Sequence, residues 1–524
     1  MPKFLEKIRK EWNNMKLKRK KIAIISSLLV VITVGGFFGA KLWAQRTNIF
    51  EALHAFNTIL NIVQQNYVKD VDTKDLIQSA IDGMLGSLDP YTQYMDVDEF
   101  KDLKIKTEAE FGGIGIQIGL RDNILTVISP IEGTPAYLVG MRAGDKMVKI
   151  DSESTEGFGL DDAIKRLRGK PGTKVEIDVA REGVSDPLHF VIIREVIKIK
   201  AVPYTGKVAN DIGYVRLADF SRVAAPELSV ALDSLFEIEG IKKLIFDLRS
   251  NSGGLLQEGV EVSGLFIPKG DTVVVTKGRN PLSFRGYVSN QDPKYGQFPL
   301  VVLVDRGSAS ATEIVAGAIQ DWERGLILGD TTFGKGSVQT LYPLPEDAAL
   351  KLTSAYWYTP SGRCINRPTK KDTAKKQLTQ QLFHTLGKAK REIYGAAITP
   401  DIYQPYERLS DLESKLLTKS VVFDFANKYV VKHPDIQRGF KATADMRQTV
   451  KDIATQKEVK FTDAQFDSAT KFINQEIERE VYLKLWGTKG EYEARLKYDP
   501  QVQKAIELLS NAQTNEDLFK VTKK

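Results

Sequence analysis

Apolar positions recur along this chain in different rhythms, and the rhythms divide it. Over residues 45–108 the spacing is helical. In "NIFEALHAFNTILNIVQQNY" Phe50, Leu53, Ile59, Leu60 and Ile62 share largely one face, and "TKDLIQSAIDGMLGSL" predicts a second helix closed by Gly86 and the turn "LDPYT". Residues 109–200 change character. The glycine-rich "EFGGIGIQIG" leads into the strand "NILTVISPI", the helix "GLDDAIKRLRG" and a strand pair in "TKVEIDVAREGVSDPLHFVIIRE", a compact β-rich module. Over residues 201–403 the strands "GYVRLADF", "KKLIFDLR", "PLVVLVDR", "GLILGD" and "ALKLTSAYWY" are interleaved with the helices "APELSVALDSLFE", "LLQEGVEVSGLF" and "ATEIVAGAIQDWE". That alternation predicts an α/β layer around a buried sheet. Residues 366–396 are polar and basic and read as an exposed insertion. Residues 404–524 are mostly helical. There "FTDAQFDSATKFINQEIEREVYLKLWG" reads as one helix, opened by a capping box from Thr462 to Gln465, with Ile473, Ile477 and Val481 on one face.

Charge changes the picture once it is located. The 524 residues are 42% apolar and 27% charged, material for roughly two to four globular domains. Residues 1–21 hold nine Lys and Arg and two Glu, which accounts for the whole net charge of +7; the remainder carries 65 basic and 65 acidic residues. A basic nucleic-acid face therefore gets no support from the bulk. Residues 22–40, "IAIISSLLVVITVGGFFGA", carry no charge over 19 positions, and about 20 such residues span a bilayer as a helix. Basic residues ahead of the span predict a cytoplasmic N-terminus and an exported body. The long apolar run and the poor cleavage site offered by Leu42 and Ala44 favour a retained anchor over a cleaved signal. The single Cys364 excludes an internal disulfide.

Candidate chemistry concentrates in "RGSASATEIVAG", residues 306–317, a tight turn between a strand and a helix. Ser310 and Glu313 fit the S-x-x-E capping box, and capping is the commoner fate of a serine there. The other reading is a nucleophile at the carboxyl end of a strand, beside helix N–H groups that can hold a developing oxyanion. A serine nucleophile needs a base. His54, His189, His384 and His433 all lie outside the α/β layer, so a Ser-His-Asp triad has no local candidate. A neutral lysine can take the role, and Lys335 in "TTFGKGSVQT" is the candidate; an exposed turn lysine is the bland alternative. The rival P-loop reading of "GDTTFGKG" fails, because Gly336 replaces the Mg²⁺-binding hydroxyl and the following residues are strand-like.

Taken together, "LDPYTQYM", "FGGIGI", "DLRSNSGGLL", "GSASATEIVAGAIQDWERGLILGDTTFGKGSVQT", "TPSGRCI" and "AITPDIY" resemble, in order over about residues 50–402, the carboxyl-terminal processing peptidases, tail-specific serine proteases of family S41. The resemblance implies Ser310 as nucleophile, Lys335 as general base and Gln339 as the residue orienting it; strand alternation from Lys335 to Gln339 would place both on one side. It implies an oxyanion hole from the N–H of Ala311 and of Gly253 or Gly254, in a turn reading N-S-G-G where the family usually has N-P-G-G. The β module resembles a PDZ domain, whose carboxylate-binding amides would come from Gly112, Gly113, Ile114 and Gly115, with Arg168 coupling peptide binding to the active arrangement; a plain glycine turn and a solvated arginine are the structural alternatives. The implied architecture is a mixed α/β protease core with flanking helices, a PDZ domain, helical ends and one transmembrane anchor. The implied function is cleavage of exported proteins with apolar C-terminal tails at the extracytoplasmic side of a bacterial inner membrane, without metal or cofactor. Self-association through the flanking helices follows from the same resemblance, and an activating partner is left open. A catalytically silent PDZ scaffold is the alternative.

Overall fold

The computed structural model describes residues 49–367 and 381–521. The basic segment 1–21, the apolar stretch 22–40 and residues 368–380 of the insertion lie outside the described residues. No helix among the described residues is long and apolar enough to cross a membrane. The chain divides into two compact units between Tyr94 and Met95. The first holds a helix over 49–66 and the helix Thr73–Gly86, whose N-cap Asp72 accepts the Lys74 N–H at 2.6 Å. The longer helix exposes Phe50, Leu53, Ile59 and Ile62 of the stripe predicted from spacing, and Phe56 with them, while Leu60 is half-buried.

The second unit is built on a six-stranded sheet. Its spatial order follows the chain: Tyr204–Ala209, Ile212–Arg216, Lys243–Asp247, Leu300–Val304, Leu326–Gly329 and Ile402–Tyr403. The first pair is antiparallel and the rest are parallel. Strands that advance steadily in one direction through right-handed crossovers put every crossover helix on the same face. That is observed: Ala224–Asp233, Leu256–Gly264 and Ala311–Asp321 pack with Val215, Phe246, Val302 and Val304. The opposite face, with Tyr214, Ile245, Val301, Leu303 and Leu328, would be left to water. It is covered instead by Val502, Ala505, Leu508, Leu509 and Phe519 from the end of the chain. The helices Pro500–Ser510 and Asn515–Val521 are thus a layer of the core, beyond the boundary at 403 expected from sequence.

A second, antiparallel sheet contains Thr272–Lys277, Arg285–Val288, Ser337–Pro343 and Ala349–Tyr358. The helix Ala311–Asp321 lies in contact with both sheets, and every one of its residues is buried. Of the insertion, residues after 380 form the hairpin Leu382–His384 with Glu392–Tyr394.

The PDZ-like module is the antiparallel sheet Ile116–Arg121, Ile124–Pro130, Lys146–Ile150, Lys174–Ala180 and Leu188–Ile193, in that spatial order, with the helix Leu160–Leu167 against it. Its core gathers Ile114, Leu125, Val127, Met147, Ile177 and Val179. In the C-terminal region the single helix expected from Phe461 onward is two. Thr462 makes the expected box with Gln465, but Asp463–Ser468 ends at Ala469, and Thr470–Leu496 follows with a kink at Trp486 and Gly487. Side-chain periodicity does not register such breaks, because the apolar stripe continues across them.

Candidate active site

Three successive parallel strands end at one place, and each contributes a loop: residues 248–255 after Asp247, 305–310 after Val304, and 330–336 after Gly329. The carboxyl ends of parallel strands are where ligands bind in α/β sheets.

Ser310 sits at φ 57° and ψ −118°. An ordinary N-cap is extended, and a side chain tolerates this left-handed conformation only under strain. The expected capping box is half-made. The Glu313 carboxylate accepts the Ser310 N–H at 2.9 Å, but the Glu313 N–H donates to the Ser310 carbonyl at 2.8 Å, and the Ser310 hydroxyl makes no cap bond. Half-buried at the rim, the hydroxyl is left for other work. Ser308 is the opposite case. It is fully buried, donates to the Leu248 carbonyl at 2.9 Å and accepts the Asp305 N–H at 2.9 Å. The two serines of "GSAS" therefore have different jobs.

Glu313 does more than its capping pattern announced. Its two oxygens accept the Thr332 hydroxyl at 2.5 Å, the Gly334 N–H at 2.7 Å, the Lys335 N–H at 2.9 Å and the Ser310 N–H. Ser310 and Lys335 share one carboxylate oxygen, which puts their backbone nitrogens within two hydrogen-bond lengths of each other. Burial pushes the Glu313 carboxyl above its ordinary range, against the pull of these four donors. The loop is held from behind as well. Gly336 donates to the Asn366 side chain at 3.0 Å, and a Cβ at Gly336 would lie 2.7 Å from the Asn366 backbone N, so glycine is required for that approach.

Gln339 donates from its amide to Ser337 at 2.9 Å and to Thr353 at 3.3 Å. The alternation argument linking it to Lys335 does not hold. Lys335 precedes the strand Ser337–Pro343, and a register shift falls between Val338 and Gln339. A bulge resets the side-chain period, so their relation rests on the loop, not on strand geometry.

The glycine turn faces the serine turn directly. A Cβ on Gly253 would stand 2.8 Å from the Ser310 Cβ and 2.9 Å from the Ala311 N. Asn251, fully buried, ties the two: its carbonyl accepts the Ala309 N–H at 3.0 Å and the Thr312 hydroxyl at 2.8 Å, while its side chain accepts the Gly253 N–H at 2.9 Å. The Gly253 donor is thereby engaged. The N–H groups of Ala311 and Gly254 have no hydrogen-bond acceptor among the described residues. Of the two glycine donors expected from sequence, the free one is Gly254.

Behind this turn lies a buried network absent from the sequence expectations. Arg249 is bidentate to Asp247, at 2.9 and 2.5 Å, and also reaches Asp499 and Gln501. Burial alone would raise the Asp247 carboxyl, yet Arg249 and Arg216 hold it well below the usual range. Among the described residues no cluster of three or more His, Cys, Asp or Glu is arranged to hold a metal ion.

In the PDZ-like module Gly112 and Gly113 lie in a strand paired with Glu195–Lys198, and the Ile114 side chain is buried in the module core. Gly115, at φ 78°, begins the turn into Ile116–Arg121, whose outer edge pairs with no strand among the described residues. Arg168 caps the helix Leu160–Leu167, its Cα beside the Gly113 backbone. Its guanidinium donates to Asp102 at 2.6 Å and lies 5.1 Å from the Phe111 ring centroid.

Comparison with known proteins identifies the family. Residues 211–375 match peptidase family S41 and residues 126–181 a PDZ domain. Residues 39–99 match the N-terminal domain of the activating protease CtpB, and 450–509 the C-terminal helical domain of probable PDZ-proteases. The carboxy-terminal-processing protease of Bartonella bacilliformis is 43% identical over 325 residues, 61% of this chain and 73% of that protein. The chain belongs to the carboxy-terminal processing proteases of family S41. A second relative, the carboxy-terminal processing protease CtpA of Bacillus subtilis, is 34% identical over 68% of this chain and 75% of its own length. A solved structure, the photosystem II D1 C-terminal processing protease, is similar at 28% identity over 68% of this chain and 94% of its own, with a TM-score of 0.37. This S41 protease is accordingly a hydrolase of peptide bonds with a PDZ domain and a helical C-terminal domain.

Proposed function

We propose that the protein is a serine endopeptidase in which Ser310 attacks the scissile carbonyl while Lys335, neutral, takes the hydroxyl proton. The tetrahedral oxyanion is held by the N–H groups of Ala311 and Gly254. Collapse expels the amine, which takes the proton back from Lys335, and water releases the acyl group by the same steps. The observation that carries this reading is the conformation of Ser310, at φ 57° and ψ −118°, with its hydroxyl free of capping. The shared Glu313 oxygen supports Lys335 as the partner. Gln339, its amide fixed by Ser337 and Thr353, is the orienting residue.

The substrate is a protein with an exposed apolar C-terminal tail. The tail adds as a strand to the free edge of Ile116–Arg121, its carboxylate at the amides of Gly112, Gly113, Ile114 and Gly115, with Arg168 at the mouth of the loop. Residues 22–40 hold the body at the outer side of a bacterial inner membrane, on the strength of their 19 uncharged positions and basic flank. The apolar stripe on the 49–66 helix pairs with a second copy.

The central test compares wild type with Ser310→Ala, Ser308→Ala and Lys335→Ala on a peptide ending in an apolar tail. Loss of cleavage in the first and third is expected; retained cleavage by Ser310→Ala would sink the reading. Self-association is checked by analytical ultracentrifugation of a chain starting at residue 45, where a strictly monomeric species at high concentration removes that part. Sedimentation with membranes, lost when residues 1–44 are deleted, checks the anchor.

A further inference from the structure

The C-terminal helical domain reaches the back of the glycine turn at Arg249, chiefly through the Asp499 carboxylate. Asp499 is buried and caps the helix Pro500–Ser510, accepting the N–H groups of Gln501 at 3.0 Å and Val502 at 3.1 Å. The same carboxylate takes the Arg249 guanidinium at 2.8 and 3.1 Å and the Tyr406 hydroxyl at 2.5 Å. Gln501 accepts Arg249 at 2.9 Å, and Tyr406 also bonds to it. Arg249 stands two residues before Asn251, whose backbone and side chain pin both the Gly253 turn and the Ser310 elbow.

The carboxylates of Asp247 and Asp499 face the guanidiniums of Arg249 and Arg216, all four side chains buried. A buried charge that loses a partner is disfavoured; without the Asp499 charge Arg249 keeps only Asp247, which Arg216 also shares, and is held less firmly in place. A turn that moves by an ångström displaces the Gly254 donor from the point where the oxyanion forms.

We propose that Asp499 is a positioning residue for the oxyanion turn: the cap of a C-terminal-domain helix, acting through Arg249, holds residues 248–254 in register with Ser310. This rests on the serine-protease reading above, and it gives residues 404–524 a part in catalysis within their own chain.

The test uses the full chain and a peptide substrate with an apolar C-terminal tail, together with a matched peptide aldehyde and the corresponding amide. The aldehyde adds the Ser310 hydroxyl reversibly, forming a hemiacetal whose oxygen occupies the oxyanion site; the amide binds without reaching it. Asp499→Asn preserves a good N-cap while removing the charge. The expected result is a fall in kcat of about tenfold to a hundredfold with KM nearly unchanged, and aldehyde affinity weakened in step while amide affinity holds. Lys520→Ala, an exposed change in the same domain, is expected to behave as wild type. Wild-type kcat and an unchanged aldehyde-to-amide ratio in Asp499→Asn would overturn the proposal, since a cap role alone predicts that outcome. If circular dichroism shows Asp499→Asn unfolded, Tyr406→Phe replaces it, removing one donor to Asp499, with the same expected direction; an unchanged ratio there overturns the proposal equally. Should Ser310→Ala cleave as well as wild type, it is the serine-protease reading that fails, whatever Asp499 does.

Discussion

At the scale of single residues, the site depends on groups that never touch substrate. Glu313 is a carboxylate with four donors aimed at it. Replacing it by glutamine turns one acceptor into a donor facing donors. The expected loss in Glu313→Gln is about 2–4 kcal/mol of stability and most of the kcat. Its pH dependence has two signs. Burial raises its native pKa above the ordinary glutamate value, so the native state binds the proton more tightly than the unfolded one. The stability difference between wild type and Glu313→Gln should therefore shrink as pH rises from the ordinary value through the native one. Activity should move oppositely, rising as the carboxylate ionises and accepts all four donors. Urea unfolding and kcat measured across that window check both. Ser308 behaves differently again. Its buried hydroxyl serves Leu248 and Asp305, so Ser308→Ala should cost about 1–3 kcal/mol in thermal or urea unfolding while cleavage survives.

At the scale of elements, what was legible in the sequence was what repeats. The strands around Lys243–Asp247, Leu300–Val304 and Leu326–Gly329 read directly as apolar runs between helices, and the serine turn and lysine loop stood out as glycine-rich breaks between them. What was hidden depends on backbone geometry and on distant partners. The bulge beside Gln339 undid a correct-looking alternation. The Asn251 side chain chose between two adjacent glycine donors, and Arg249 met Asp499 only because the chain returns. The kink in Thr470–Leu496 is of the same kind. Gly487 takes φ 61° and ψ −157°, a region that glycine alone tolerates, although the space around it is open. The kink lets the second half of the helix bring Tyr492 onto Tyr204, ring centroids 4.8 Å apart. Gly487→Ala meets no clash, so its expected cost is purely conformational, about 1–3 kcal/mol, read as a lowered urea midpoint.

At the scale of the molecule, the C-terminal region is a bracket. It grips the PDZ-like module, where Lys457, held by Asp424 of its own region at 2.5 Å, bonds Asp122 at 2.8 Å, and Arg121 donates to Ser420 at 3.3 Å. It also closes the central sheet. The match to family S41 ends at residue 375, which invites a chain cut after 403 as a minimal protease. Such a chain would expose Tyr204, Ile212, Tyr214, Ile245, Val301, Leu303, Leu326 and Leu328 on one sheet face. Burial of a large apolar side chain stabilises by about 1.5–3 kcal/mol, so the loss over this face matches or exceeds the usual net stability of about 5–15 kcal/mol. A chain of residues 45–403, without the proposed anchor, is therefore expected to aggregate or to lose its near-ultraviolet circular dichroism. Loss of the Asp499 contact alone would instead leave a folded but slow enzyme. A soluble, cooperatively unfolding chain of residues 45–403 would show that the sheet finds another cover, and would take the last two helices out of the core.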